Sequence, residues 1–101
     1  ENGFDLIVMD VSFVSLDKVV PSVINFLGPN GKVLALFKPQ FEVGPMGLNK
    51  NGIAVDESLI ESAYQNFSKF CGGINLKVLE KFDSGFPGRD GNREYFVFIS
   101  R

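Results

Sequence analysis

The sequence has no histidine, no tryptophan and a single cysteine among its 101 residues. Without histidine it lacks the usual general base, the commonest metal ligand and any histidine-based pH switch. Cys71 has no partner for an internal disulfide. It falls in the apolar tail of an expected helix, so it reads as a reduced core residue rather than a nucleophile. Charge is balanced, with 10 Lys and Arg against 12 Asp and Glu for a formal net of -2. The basic excess that drives nucleic-acid binding is therefore missing from this stretch. No apolar run approaches the roughly 18 residues of a transmembrane helix and no signal peptide is visible, so a cytoplasmic location is expected.

The chain is 45% hydrophobic and 22% charged, the balance of an ordinary globular domain. Its eleven phenylalanines are spread along the whole length, which suggests packing rather than a stacking platform. The opening residues, ENGFD, lack an initiator methionine and lead straight into an apolar strand, so an excised part of a longer protein is expected.

Residues 4 to 10, FDLIVMD, form a near-continuous apolar run, the pattern of a parallel strand covered on both faces. Leu16, Val19, Val20, Val23, Ile24 and Leu27 follow as a helical stripe, with Gly28 and Pro29 as its stop. Pro21 fits such a helix only in or near the first turn. After the turn GPNG, residues 32 to 38, KVLALFK, repeat the strand pattern. Residues 39 to 55 read as a long loop, and Asp56 as the N-cap of a second helix with Leu59, Ile60, Ala63, Phe67 and Phe70 on its apolar side, ending at Gly72 and Gly73. Residues 74 to 82 and 94 to 100 are strand-like and too close together for a crossover helix, so they pair as an antiparallel hairpin. The result is a single α/β domain over residues 1 to 101, ordered β-α-β-α-β-β.

In an open parallel sheet, ligands sit at the carboxyl ends of the strands. Asp10 and Lys38 end the first two strands. If the last strand runs antiparallel, its beginning, Arg93 and Glu94, lies on the same rim. Gln40, Glu42 and Lys50 in the long loop read as solvated cover. Arg89 and Arg93 belong to the hairpin tip, where charge is expected for solubility, although two arginines near this rim could also hold phosphates. GPNGK lacks phosphate-loop spacing and precedes a strand, so it is a turn.

Three stretches, DLIVMDVSFVSL, LFKPQFEVG and GNREYFVF, resemble the TlyA-type proteins, often labelled hemolysin A, among the FtsJ-like ribosomal RNA 2′-O-methyltransferases. The resemblance spans essentially the whole chain. It implies a partial Rossmann-like methyltransferase fold dependent on S-adenosylmethionine, with the last strand inserted antiparallel. It also implies that Asp10, Lys38 and Glu94 match three members of a Lys-Asp-Lys-Glu catalytic tetrad. Lys38 would then be the base toward a ribose hydroxyl, with Asp10 and Glu94 orienting its amine and accepting protons. Asp10, Val11 and Ser12 would border the cofactor, and Lys50, Arg89 and Arg93 would face RNA. The cofactor-binding glycine loop, the first tetrad lysine and an S4-type RNA-binding domain match nothing in the sequence. The chain alone is therefore expected to be inactive, with ribosomal RNA the partner of the intact protein and no metal or membrane involved. A non-catalytic RNA- or protein-binding module of the same fold and a membrane-lytic hemolysin are the rival functions.

Overall fold

The computed structural model describes residues 3–87 and 91–101. Strand β1 (Phe4–Met9), helix α1 (Leu16–Ile24), strand β2 (Leu27–Phe37), helix α2 (Glu57–Gly73) and strands β3 (Lys77–Pro87) and β4 (Arg93–Ser100) follow one another along the chain. They form one sheet in the order β1-β2-β4-β3. β1 and β2 are parallel, and β4 is antiparallel to both β2 and β3. The mixed α/β sheet with an inserted antiparallel last strand is therefore as expected.

Both crossovers, β1 to β2 through α1 and β2 to β3 through α2, step across the sheet in the same direction. Crossovers of one hand that step in one direction place their helices on one face. Accordingly Leu16 and Val20 of α1 and Phe67 and Cys71 of α2 share a single core with Met9, Val33, Ala35, Phe37, Val97 and Ile99 of the strands. Lys81 closes one margin of this layer, its ammonium 4.4 Å from the Tyr64 ring centre and 5.0 Å from that of Tyr95. Burial also pushes the Cys71 thiol up to about 11, in keeping with an inert core cysteine.

The other face is uncovered, which corrects the expectation of a strand buried on both sides. Strand alternation turns Leu6 and Val8 of β1 to that face, and they are 52% and 64% exposed. Phe82 and Phe96 meet there with ring centres 5.5 Å apart. Most phenylalanines consequently lie outside the core. Phe4, Phe13, Phe26, Phe82 and Phe86 are exposed, and Phe37 and Phe67 are the two fully packed inside.

Several boundaries differ from those expected. α1 ends at Ile24, and Leu27 belongs to β2 as the partner of Phe4. The GPNG segment is an irregularity within β2, where the register jumps from Phe4–Leu27 to Leu6–Lys32. Glycine is needed there because a Cβ on Gly31 would lie 2.8 Å from the Phe4 carbonyl oxygen and the Leu27 side chain. Pro21 is the sixth residue of α1, beyond the first turn, and sits on its exposed side. Asp56 caps α2 as expected, its carboxylate accepting from the Ser58 and Leu59 amides. β3 runs on through Pro87, taking in half of the expected hairpin loop.

If this one-sided core carries the stability, Phe37→Ala should cost about 3–5 kcal/mol in chemical denaturation, whereas Phe13→Ala, at an exposed position, should cost almost nothing.

Candidate active site

β1 and β2 run parallel, so their carboxyl ends lie side by side, and each is followed at once by a charged residue: Asp10 after Met9 and Lys38 after Phe37. The Lys38 amine is 2.6 Å from Asp10 Oδ1 and donates to Ser12 Oγ at 3.2 Å. The pairing is asymmetric, since the Lys38 side chain is only 12% exposed and that of Asp10 62%. A largely buried lysine stem thus delivers its amine to the rim, where a solvated carboxylate meets it.

β4 brings the third charge. Lys32 faces Ser100 and Phe37 faces Tyr95 in the β2–β4 ladder, so one further step in the same register sets Lys38 opposite Glu94. The Glu94 carboxylate accepts from Gln40 Nε2 at 3.0 Å. Carried one residue past β1 and β2, strand alternation puts Asp10 with Leu6 and Val8, and Lys38 with Leu34 and Leu36, while Glu94 lies with Phe96 and Phe98. All three charged residues therefore project on the side of the sheet that the helices leave open.

The segment after Lys38 is built of short turns, and Gln40 and Glu42 depart from their reading as solvated cover, whereas Lys50 is exposed as that reading has it. Pro39–Phe41 and Pro45–Gly47 are short 3₁₀ turns, and Leu48 bridges Ala54. Glu42 is half-buried, and its Oε2 accepts from the Leu16 amide at 2.9 Å, taking up the first free N–H of α1 that the Ser15 side chain leaves unbonded. Burial, reinforced by Asp17 and opposed by that hydrogen bond, raises Glu42 to about 7. Gln40 and Glu42 thus tie the exit of β2 to β4 and α1 beside the charged rim, a role that residue-by-residue reading missed. The signal available was their spacing, two and four residues after the strand-ending lysine.

Phe13 was missed as well. It lies 89% exposed with φ at +64°, a left-handed conformation costing about 1 kcal/mol for a residue with a side chain. Its ring sits 5.1 Å from that of Phe41, and the two border a hollow of about 450 Å³ whose lining includes Lys18 and Gln40. Of the residues expected to touch cofactor, Val11 is half-buried against the core and Ser12 is exposed beside Lys38. Of those expected to face RNA, Lys50 is exposed beside the turn between Leu48 and Ala54, Arg93 is held by Asp83 at 2.9 Å, and Arg89 lies outside the described residues. Neither Lys50 nor Arg93 touches the Asp10–Lys38 pair. Among the described residues no three side chains are grouped to hold a metal, and no helix is long and apolar enough to cross a membrane.

The raised Glu42 sets a pH dependence. Because the folded chain holds this proton up to about 7 while the unfolded chain releases it near 4.5, the contribution to stability is complete below 4.5 and is lost as pH rises through 7. Glu42→Gln keeps an acceptor for the Leu16 amide and removes the titration. The variant should match the native chain at about pH 4 and exceed it at about pH 8 by up to roughly 2 kcal/mol, allowing for partial solvent screening. Urea denaturation at the two pH values measures the difference.

The family model for FtsJ-like methyltransferases matches residues 1–101. The chain is 35% identical over 99 residues to the 23S rRNA (cytidine-2′-O)-methyltransferase TlyA of Campylobacter jejuni, covering 97% of this chain and 38% of that protein. It is 30% identical over 95 residues to the 16S/23S rRNA (cytidine-2′-O)-methyltransferase TlyA of Mycobacterium tuberculosis, covering 94% and 35%. Hemolysin A of Brachyspira hyodysenteriae is 33% identical over 92 residues, covering 91% and 38%. A crystal structure of a protein from Lactococcus lactis that carries the hemolysin label superposes with a TM-score of 0.89 at 33% identity, covering 95% of this chain and 46% of that one. The chain thus spans little more than a third of the curated relatives it matches. With a partial Rossmann-like sheet and a family model matched from its first residue to its last, the chain belongs to the FtsJ-like methyltransferase family.

Proposed function

We propose that the intact protein methylates ribose 2′-hydroxyls of ribosomal RNA, and that this chain is the part of its methyltransferase domain that carries the catalytic rim. The observation behind this reading is the cluster at the strand ends. Lys38 is held by Asp10 and Ser12 on the open side of the sheet, with Glu94 opposite it in register. A ribose hydroxyl is a weak nucleophile, so its methylation gains from a positioned base and close alignment of the reacting atoms. Lys38 Nζ, having first given up a proton, would bond the hydroxyl and take its proton as the new O–C bond forms and the methyl–sulfur bond breaks, and Asp10 would balance the charge that arrives on the amine. Glu94, fixed by Gln40, would hold the far side of the ribose. S-adenosylmethionine, when bound, supplies an electrophilic methyl group on a cationic sulfonium. The largely solvated Asp10 carboxylate at a strand's carboxyl end fits such a charge, with Val11 and Ser12 beside it.

The uncovered face supports the view that this is one part of a larger domain. Parallel sheets are normally covered on both faces, and β1 has a free edge. Crossovers that step away from β1 in the opposite direction would lay their helices on the exposed face and border the crevice at Asp10. The exposed Phe13 ring, next to the hollow and to Lys18, would offer a stacking surface to an unpaired base, with Lys50, Arg89 and Arg93 as candidate phosphate contacts. A ribosomal substrate would also place the protein in the cytoplasm.

Transfer of a labelled methyl group from S-adenosylmethionine to ribosomal subunits tests the reading. Lys38→Ala in the intact protein should reduce transfer at least about 100-fold while the protein stays folded. Full activity of that variant would remove Lys38 from the mechanism. No transfer by the folded native protein would favour a non-catalytic binding module.

A further inference from the structure

Asn92 is 1% exposed, the most thoroughly buried polar side chain in the described part of the chain, and no step of the proposed chemistry uses it. It precedes β4 immediately and lies two residues before Glu94. Its Oδ1 accepts from the Ala54 amide at 2.8 Å, and its Nδ2 donates to the Gly52 carbonyl at 3.1 Å. Both ends of a buried amide are thus bonded to backbone of one turn, an arrangement that fixes geometry because leaving either group unpaired is costly.

That turn is itself rigid. Asn49 Oδ1 accepts from the amides of Asn51 and Ile53, Asn49 N–H donates to the Ile53 carbonyl, and Gly52 takes φ of +77°. It forms the far end of the segment that begins at Lys38. The near end is tied to β4 as well, through Gln40 and Glu94. Asn92, just before β4, and Glu94, two residues further on, therefore clasp both ends of one 15-residue stretch running from Gln40 to Ala54. Between the two ties lie Phe41, Gly44, Pro45 and Leu48, four of the residues around the hollow beside the charged rim.

We propose that Asn92 is a positioning residue: by locking the Gly52–Ala54 turn to the start of β4, it holds Gln40 on Glu94 and so sets the Glu94 carboxylate relative to Lys38. The proposal rests on the methyltransferase reading for its catalytic consequence and on geometry alone for the clasp. Asn92 touches no reacting atom, so its loss should lower turnover while leaving substrate and cofactor binding intact.

Two readouts on the intact protein separate these parts. With 15N-labelled glutamine, the side-chain amide protons of Gln40 should be slow to exchange in the native protein and should move to freely exchanging positions in Asn92→Ala. In the methyl-transfer assay, kcat of that variant should fall about tenfold or more, with KM for S-adenosylmethionine and for ribosomal subunits unchanged. Should Asn92→Ala fail to fold, Asn49→Ala, which loosens the same turn without altering β4, should free the Gln40 amide in the same way. A Gln40 amide that stays protected in the folded variant overturns the clasp. A freed amide with unchanged kcat overturns the catalytic role. Absence of transfer by the native protein overturns the methyltransferase reading, and the Gln40 amide then decides the clasp by itself.

Discussion

Both crossovers of this chain step the same way across the sheet, and that constraint organises the rest of the structure. It sends α1 and α2 to one face, where Phe37, Val33, Val97 and Ile99 meet Leu16, Val20, Phe67 and Cys71 in one core. It leaves the opposite face with Leu6, Val8, Phe82 and Phe96 in contact with solvent. Because side chains alternate along a strand, the same division decides where the first residue beyond each strand points. Asp10 and Lys38 follow core-facing Met9 and Phe37, so their charges fall on the open side and meet there at 2.6 Å. Packing and chemistry are two consequences of one alternation.

The rim is held by bonds that cross between elements. Lys38 links the ends of β1 and β2 through Asp10 and Ser12, Gln40 links β2's exit to β4 through Glu94, and Glu42 links the same exit to the start of α1. Five residues of sequence, Lys38 to Glu42, thus reach all three elements that surround the site. The burial of Glu42 is part of the cost, since the carboxyl that closes α1 does so in surroundings that favour its protonated form.

Much of this could be read from the sequence, for identifiable reasons. The element order, the Asp56 cap and the antiparallel pairing of the last two strands follow from periodicity, cap chemistry and loop length, all of which are local, whereas the insertion of the last strand between its neighbours came only with the family resemblance. Asp10, Lys38 and Glu94 were legible because strand ends are visible in an apolar run and because three motifs carried the family resemblance. The exposed face was not legible, since an apolar run looks the same whether its second face is covered by this chain or not. Leu27 misled for a related reason. Its spacing extends the stripe of α1, and only its pairing with Phe4 in the sheet assigns it to β2. Gln40 and Glu42 gave only their spacing from Lys38 and Asn92 gave nothing, because a polar residue in a Gly- and Pro-rich segment does not itself show whether it bonds across the fold. The strained backbone of Phe13 is likewise a property of the turn and not of the residue.

The central claim is that Asp10 and Lys38 act as one catalytic unit on the open side of the sheet. A double-mutant cycle on methyl transfer by the intact protein, using Asp10→Asn, Lys38→Met and the pair, tests it most directly. If the two act together, the double variant should be no slower than the slower single variant, because the second substitution removes nothing that the first has left working. Losses that multiply would mean that the two groups act independently, and the ion pair would then be only a structural feature of the strand ends.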